Sequence, residues 1–328
     1  MRYVVSRPAL LAGLSGWLPP IVVDNAEILR HLDSTEQWIT QRTGIHRRHR
    51  AEPGTATSDL AIRAAAPLVA AARGPIDAVV VATMTPDRQC PATAPVVATG
   101  LGLTGAAAWD VANACTGFVY GLATVTAMIS AGVLNRVLLI GAETMSAVLD
   151  RSDRGTAMIF GDGAGAALLE AGRPGDAPSF GPFDLGSDGT RPGLVAIPAG
   201  GSSDPDGEDR CIRMEGPSVY RSAVEKMTDS AQLAAKAADW SVADVDWFVA
   251  HQANARILDA VADRLDIPPA RRFVNVDRVG NTSGASVPLA LADLATSRRA
   301  RAGDKVLITS FGAGLTWAST TLTWPEGL

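Results

Sequence analysis

Short runs of aliphatic and β-branched residues recur along the chain, separated by longer segments whose apolar positions return every three or four residues. "IDAVVVATM" (76–84), "RVLLIGAE" (136–143) and "GAGAALLE" (163–170) are near-continuous apolar runs of strand length, the pattern of strands buried on both faces. "TGFVYGLATVTAMISAG" (116–132) is too long for a strand. Its Phe118, Leu122, Val125, Met128 and Ile129 fall at helical spacing, and the opposite face is also small or apolar. That predicts a helix buried all round, with Gly132 as its stop. The opening "MRYVVSRPALLAGLSGWLPP" is broken by glycines and Pro19–Pro20 and lacks a small-residue cleavage pattern, so it reads as a first strand and turn.

Between 171 and 211 the composition shifts to Gly, Pro and Asp, which predicts a crossover or linker with a strand inside it. The alternation then resumes. A long helix is expected over 216–238, a strand in "DVDWFVAHQ", an amphipathic helix in "ANARILDAVADRLD", and closing strands in "KVLITSFGAG" and "TWASTTLTW". Each half carries strand, loop, helix and strand. The expectation is an α/β fold of two similar halves, residues 1–172 and 173–328, with ligands beyond the carboxyl ends of strands.

Composition narrows the function. The chain has 328 residues, 47% hydrophobic and 19% charged, enough for a large core and against a disordered chain. A net charge of −5 argues against nucleic acid as the main partner. No run approaches the ~18 apolar residues that read as a membrane span, so no membrane partner is expected. Of the 29 basic residues only Lys226, Lys236 and Lys305 are lysines, a bias attributable to genome composition. Cys90, Cys115 and Cys211 are too few and too widely spaced for a disulfide framework or a zinc site. A reduced, cytoplasmic setting fits them, and no metal is expected.

Cys115 stands in "DVANACTGF", where a strand pattern gives way to the buried helix. A lone cysteine beside an apolar helix is ordinarily a small buried hydrophobe. Two features argue otherwise. A helix start favours the thiolate, and the small neighbours Ala112, Asn113, Ala114, Thr116 and Gly117 leave a substrate room to reach the sulfur. His251 follows an apolar strand in "VAHQANARI", and Asn281 lies among small residues in "VGNTSGAS". Singly, these read as a strand-end histidine and a turn asparagine. Together with Cys115 they form a nucleophile and two polar groups on strand-end loops. "GDGAG" (161–165) precedes a strand instead of opening a helix, which excludes a dinucleotide fingerprint. "RTGIHRRHR" (42–50) reads as a solvated charged face with phosphate-binding capacity; Trp38, four residues before Arg42, is placed to stack on a base.

Six segments carry a further signal: "DSTEQWITQRTGI" (33–45), "WDVANACTGF" (109–118), "DRGTAMIFGDGAGAALL" (153–169), "HQANARI" (251–257), "GNTSGAS" (280–286) and "SFGAGLTWAS" (310–319). In these the chain resembles β-ketoacyl-acyl carrier protein synthase III, a thiolase-fold condensing enzyme. The resemblance implies a five-layered αβαβα fold, a homodimer, and a catalytic triad of Cys115, His251 and Asn281. It implies that Trp38 and Arg154 sandwich the adenine of coenzyme A, with Arg42, Gly216 and Asn254 along the same tunnel. Phe311 is expected to shield the site and Arg256 to dock a carrier protein. The amides of Cys115 and Ala313 are expected to hold the oxyanion. The implied substrates are an acyl-CoA and a malonyl thioester on acyl carrier protein or CoA, with no cofactor beyond CoA thioesters.

The chain departs from the family pattern at Cys90, where phenylalanine is frequent on a loop closing the partner's acyl pocket. It departs also at Ala313, Leu315 and Asn113. Cys90 and Leu315 imply an acyl pocket unlike one for acetyl, and so a starter for a polyketide or specialised fatty acid. The alternative implied is acyl transfer to an alcohol or amine of a natural product without condensation.

Overall fold

The computed structural model describes residues 7–328; the first six residues of the expected N-terminal strand lie outside them. β1 (Ala9–Trp17) is followed by the ribbon of β2 (Ile21–Asp24) and β3 (Arg47–Arg50), which encloses α1 (Asn25–Ile28) and α2 (Glu36–Thr43). Next come α3 (Thr57–Ala71), β4 (Ala78–Ala82), α4 (Ala94–Gly100), β5 (Ala107–Val111), α5 (Gly117–Ser130), β6 (Arg136–Glu143) and β7 (Gly163–Ala171). Beyond them lie β8 (Phe180–Ser187), the short pair β9 (Val195–Ala196) and β10 (Arg213–Met214), and α6 (Gly216–Ala237). The chain finishes with β11 (Trp247–Ala250), α7 (Ala255–Arg264), α8 (Val276–Val279), α9 (Ser286–Thr296), β12 (Lys305–Gly312) and β13 (Thr316–Thr323).

The strands form two main sheets, ordered β1-β7-β6-β4-β5 and β11-β12-β13-β8. The pairing of β4, β6, β7 and β1 is parallel, antiparallel, antiparallel. β11, β12, β13 and β8 pair in the same sequence. The two sheets thus share one plan, and the first adds β5 at its edge.

Alternation along the strands sets the layers. In β4, Val79 and Val81 pack outward with Leu60, Ala61 and Ala64 of α3, whereas Ala78, Val80 and Ala82 pack inward with Phe118 and Leu122 of α5. In β12, Val306 and Ile308 join that same inner core, and Leu307 faces Ala223 and Met227 of α6. β4 is apolar at every position because helices cover both faces. α5 and α9 lie between the sheets, α3 and α4 outside the first, α6 and α7 outside the second. The result is the five-layered αβαβα thiolase fold.

The helix expected over 116–132 starts at Gly117, one residue after a 3-10 turn at Ala114–Thr116. The Gly- and Pro-rich segment holds β8 and β9. The charged run 42–50 differs from the solvated face expected of it. Arg48 is buried, with its guanidinium donating to Asn25 Oδ1 at 2.8 Å and to the Met158 carbonyl at 2.6 Å. Burial lowers its pKa to about 10. Arg50 pairs with Glu27, and His49 Nδ1 sits 2.6 Å from the Pro19 carbonyl. Of the arginines in the run, only Arg42 lines the main cavity. No helix among the described residues is long and apolar enough to cross a membrane.

Candidate active site

Cys115 lies in the turn that leads into α5, and Ser283 in the matching turn, Ser283–Ala285, that leads into α9. Each turn holds one non-glycine residue in the left-handed region, Ala114 at φ 44° and Ser283 at φ 47°. Such residues cost about 1–3 kcal/mol and concentrate at functional sites. The two turns meet between the sheets, and Cys115 Sγ donates to Ser283 Oγ at 3.6 Å.

His251 follows β11, and Phe311, Gly312 and Ala313 follow along the end of β12. These residues, with Cys115 and Asn281, line one cavity of about 680 Å³. Strand ends deliver Cys115 and His251, as expected for sheets of this kind, whereas Asn281 stands between α8 and the turn into α9 instead of on a strand-end loop. Asn281 Oδ1 accepts the Ser283 N–H at 2.9 Å, which leaves its amide nitrogen for the cavity. Burial lowers the pKa of His251 to about 4, so the imidazole is neutral at pH 7. Burial pushes the Cys115 thiol up to about 12. Gly312 comes so close that a Cβ there would sit 3.0 Å from the Cys115 amide nitrogen. Glycine at this position keeps that amide open to a thioester oxygen.

The cavity mouth is built on α2, α7 and the loop before Met158. Thr35 Oγ1 caps α2 by accepting the Trp38 N–H at 3.1 Å, and Gly44, at φ 71°, ends it. A side chain on Gly44 would run into Ala255, so α2 is seated directly against α7. Asn254 Oδ1 caps α7 through the Ile257 N–H at 3.0 Å. The Asp153 carboxylate accepts from the Gly155 N–H and the Thr156 hydroxyl, shaping the turn that presents Arg154. Arg154 packs on Trp38, Arg42 lies farther along the same ring, and Arg256 is over Tyr220. Gly216, Asn254, Arg256 and Phe311 complete this set, and all line the cavity.

Two expected acyl-pocket residues stand elsewhere. Leu315 is buried in the core under α6 and lines neither this cavity nor the second one described below. Its N–H donates to the Asp188 carbonyl at 2.7 Å and its carbonyl accepts in return at 2.8 Å, which turns the side chain into the core. Cys90 is exposed on the loop after β4. Its neighbours Arg88, Gln89 and Ala92 line a second cavity, also about 680 Å³, which shares Val195 and Ala313 with the first. Asn113 lines that second cavity and donates to Thr116 Oγ1 at 3.1 Å.

Sequence reasoning gave no role to Glu143. It is fully buried at the end of β6, and burial pushes its pKa up to about 7. Its carboxylate accepts from the hydroxyls of Thr83 and Thr85 and from the amides of Met84, Thr85 and Gly284. No group of three or more His, Cys, Asp or Glu side chains among the described residues is placed to hold a metal.

Comparison with known proteins gives the same direction. The family description 3-oxoacyl-[acyl-carrier-protein] synthase III matches residues 109–189, and its C-terminal counterpart matches residues 235–324. Beta-ketoacyl-[acyl-carrier-protein] synthase III 3 of Streptomyces coelicolor is 50% identical over 330 residues, 98% of each chain. Synthase III 2 of the same organism is 52% identical over 317 residues, 96% of this chain and 94% of its own. The crystal structure of 3-oxoacyl-(acyl carrier protein) synthase III from Pseudomonas aeruginosa superposes with a TM-score of 0.92 at 45% identity, covering 98% of this chain and 99% of that one. The priming beta-ketosynthase from the R1128 polyketide biosynthetic pathway superposes with a TM-score of 0.93 at 35% identity, covering 100% and 99%.

Fold and site together define a thiolase-fold condensing enzyme. The chain belongs to the β-ketoacyl-[acyl-carrier-protein] synthase III family.

Proposed function

We propose that this chain, as a homodimer, loads an acyl group from an acyl-CoA onto Cys115 and condenses it with a malonyl thioester carried on acyl carrier protein or CoA. One observation carries the reading: Cys115, His251 and Asn281 line a single cavity whose mouth is formed by Trp38, Arg42, Arg154 and Arg256. In the first half-reaction the Cys115 sulfur attacks the thioester, and the amides of Cys115 and Ala313 hold the oxygen as it turns anionic. CoA then leaves. In the second, the malonyl group loses carbon dioxide, and the neutral His251 and the Asn281 amide donate hydrogen bonds to the enolate. Its carbon attacks the acyl-cysteine. Two uncharged donors suit a charge that exists only in passing.

The mouth matches a CoA thioester. Trp38 offers an aromatic face for a base, and the exposed guanidinium groups of Arg42 and Arg154 suit phosphates. Arg256, exposed at the first turn of α7, is the docking point for a carrier protein. The starter is larger than acetyl, and the enzyme primes a polyketide or specialised fatty acid chain. Support for this comes from the small Cys90 and from the second cavity, whose walls include Ala92, Ala112, Val195 and Ile197.

Intact mass spectrometry after mixing with a panel of acyl-CoAs, then with malonyl-acyl carrier protein, tests the reading. An acyl adduct that malonyl-acyl carrier protein discharges, with carbon dioxide release, is expected. An adduct that both malonyl-acyl carrier protein and malonyl-CoA leave in place would overturn it.

A further inference from the structure

Acyl loading requires that the Cys115 proton go somewhere, and His251 is poorly suited to take it. Its imidazole is held neutral by burial, and its Nδ1 has no protein partner, so no carboxylate orients it as a base. A different path leads away from the sulfur. Cys115 Sγ donates to Ser283 Oγ at 3.6 Å. Ser283 is next in the chain to Gly284, whose N–H donates to Glu143 Oε1 at 3.1 Å, so its hydroxyl stands beside that carboxylate. Ser283 is fixed in place by its own N–H on Asn281 Oδ1.

The rest of the Glu143 environment suits a group that gains and loses a proton. Thr83 and Thr85 bring hydroxyls, Met84 and Thr85 bring amides, and none of them is charged. Glu143 makes no ion pair among the described residues. Cys115 faces it across Ser283, and His251 lines the cavity beside Cys115. The adjoining strand β7 brings Asp162 near, one residue before Gly163, the strand partner of Glu143. Asp162 is turned instead to the Ala51 amide and to Ser146.

We propose that Cys115, Ser283 and Glu143 form a proton relay that generates the nucleophile. As Sγ attacks the thioester, its proton passes to Ser283 Oγ while the Ser283 proton passes to a carboxylate oxygen of Glu143. The Cys115 S–C bond forms, the C–S bond to CoA breaks, and the CoA thiolate takes a proton from water. During condensation the carbon–carbon bond forms as the Cys115 S–C bond breaks. The released thiolate recovers its proton from Glu143 through Ser283. Each turnover consumes one proton from solvent, balancing the carbon dioxide lost from a malonyl carboxylate.

The two acids bias each other against ionising together. Burial and then the Glu143 charge oppose ionisation of the thiol, while burial opposes ionisation of Glu143. A site that resists two charges holds one proton between them, and moving that proton leaves the count unchanged. The relay serves the acyl loading proposed above, but the thiol's own reactivity reports it without any substrate.

The test is the pH dependence of Cys115 alkylation by iodoacetamide, followed on the Cys115 peptide by mass spectrometry. In the wild type the rate is expected to level off near pH 7, where Glu143 ionises, and to stay level until the thiol ionises fully at high pH. In Glu143→Gln it should climb about tenfold per pH unit with no plateau and run about a hundredfold slower at pH 7.5. Ser283→Ala, which leaves the Glu143 hydrogen bonds from Thr83, Thr85 and Gly284 in place, should give the same profile. Acyl loading from acyl-CoA should fall in parallel. A wild-type profile without a plateau, or variants that keep one, would overturn the relay. Absence of an acyl-enzyme in a wild type that shows the plateau would instead overturn the proposed function.

Discussion

The guanidinium carbon of Arg154 lies 3.9 Å from the centre of the Trp38 ring, closer than the 5.5 Å of Arg42. The two side chains touch, and a flat base between them needs roughly twice that separation. Binding of CoA at this point, as proposed, would therefore lift Arg154 off the ring. Trp38→Ala is expected to raise the KM for acyl-CoA about tenfold, the effect of one cation–π or stacking contact of ~1–2 kcal/mol, with kcat nearly unchanged. Steady-state kinetics checks this; a fall in kcat at constant KM would place Trp38 outside the CoA path.

Cys115→Ala should abolish the covalent acyl adduct, because neither Cys90 nor Cys211 lines the cavity. His251→Ala and Asn281→Ala should each slow condensation roughly a hundredfold to a thousandfold, the range for removing one oxyanion donor, and affect loading far less. Rapid-quench measurement of the two half-reactions separates these outcomes. Equal losses in both would assign His251 and Asn281 to loading as well.

Gly312→Ala is expected to cut the rate of acyl loading about a hundredfold while the protein stays folded. The new Cβ would stand 3.0 Å from the Cys115 amide nitrogen, where the thioester oxygen is to be held. Loading kinetics together with a thermal melt decide it. Unimpaired loading would show that this amide is not part of the oxyanion site.

Cys90→Phe should shift preference toward acetyl-CoA. A phenyl ring adds apolar volume at a loop expected to floor the partner's acyl pocket, and each methylene excluded from such a pocket forfeits about 0.8 kcal/mol. Competition among acetyl-, isobutyryl- and hexanoyl-CoA measures the shift. A wild type that takes acetyl best, unaltered by the substitution, would remove Cys90 from chain selection.

Acid should weaken the fold partly through His251. Its folded pKa, about 4, is below the ordinary value of 6.5, so the unfolded chain binds a proton first. The stability tied to the neutral ring is complete above pH 6.5 and is lost as pH falls toward 4, by up to about 3 kcal/mol. Glu143 acts in the opposite sense: its folded pKa is raised, so its contribution is lost as pH rises through about 7. The His251→Ala variant isolates the first effect. Denaturant melts across pH 4–7 should show a shallower acid loss in the variant; parallel curves would refute the assignment.

Much of this architecture was legible because burial on both faces leaves an unmistakable run of apolar residues. The strand expected over 136–143 is β6 as found, and the helix expected over 216–238 is α6 to within one residue. The run 76–84 overreached the carboxyl end of β4 because Thr83 and Met84 turn away to bind Glu143. Periodicity carries no record of such long-range pairing. Glu143 looked like the polar end of a strand, yet its amide partner Gly284 is 141 residues away. Arg48 looked solvated because its acceptors, Asn25 and the Met158 carbonyl, are distant in sequence. Cys115 drew notice through a local signal, small neighbours and a helix start, while its expected role rested on the family resemblance.

The paired turns at Ala114 and Ser283 have a practical consequence. One heads a helix entered from β5, the other a helix that leads to β12, so the nucleophile and its neighbours belong to different sheets. Gly284 lies against the Ala114 carbonyl, where a Cβ would come within 3.3 Å, so neither turn can change shape without the other yielding. Chemistry here belongs to a seam. In a split version of this protein, reconstituted from two fragments, labelling of Cys115 by acyl-CoA would register docking of the pieces and stay silent for either piece folded alone.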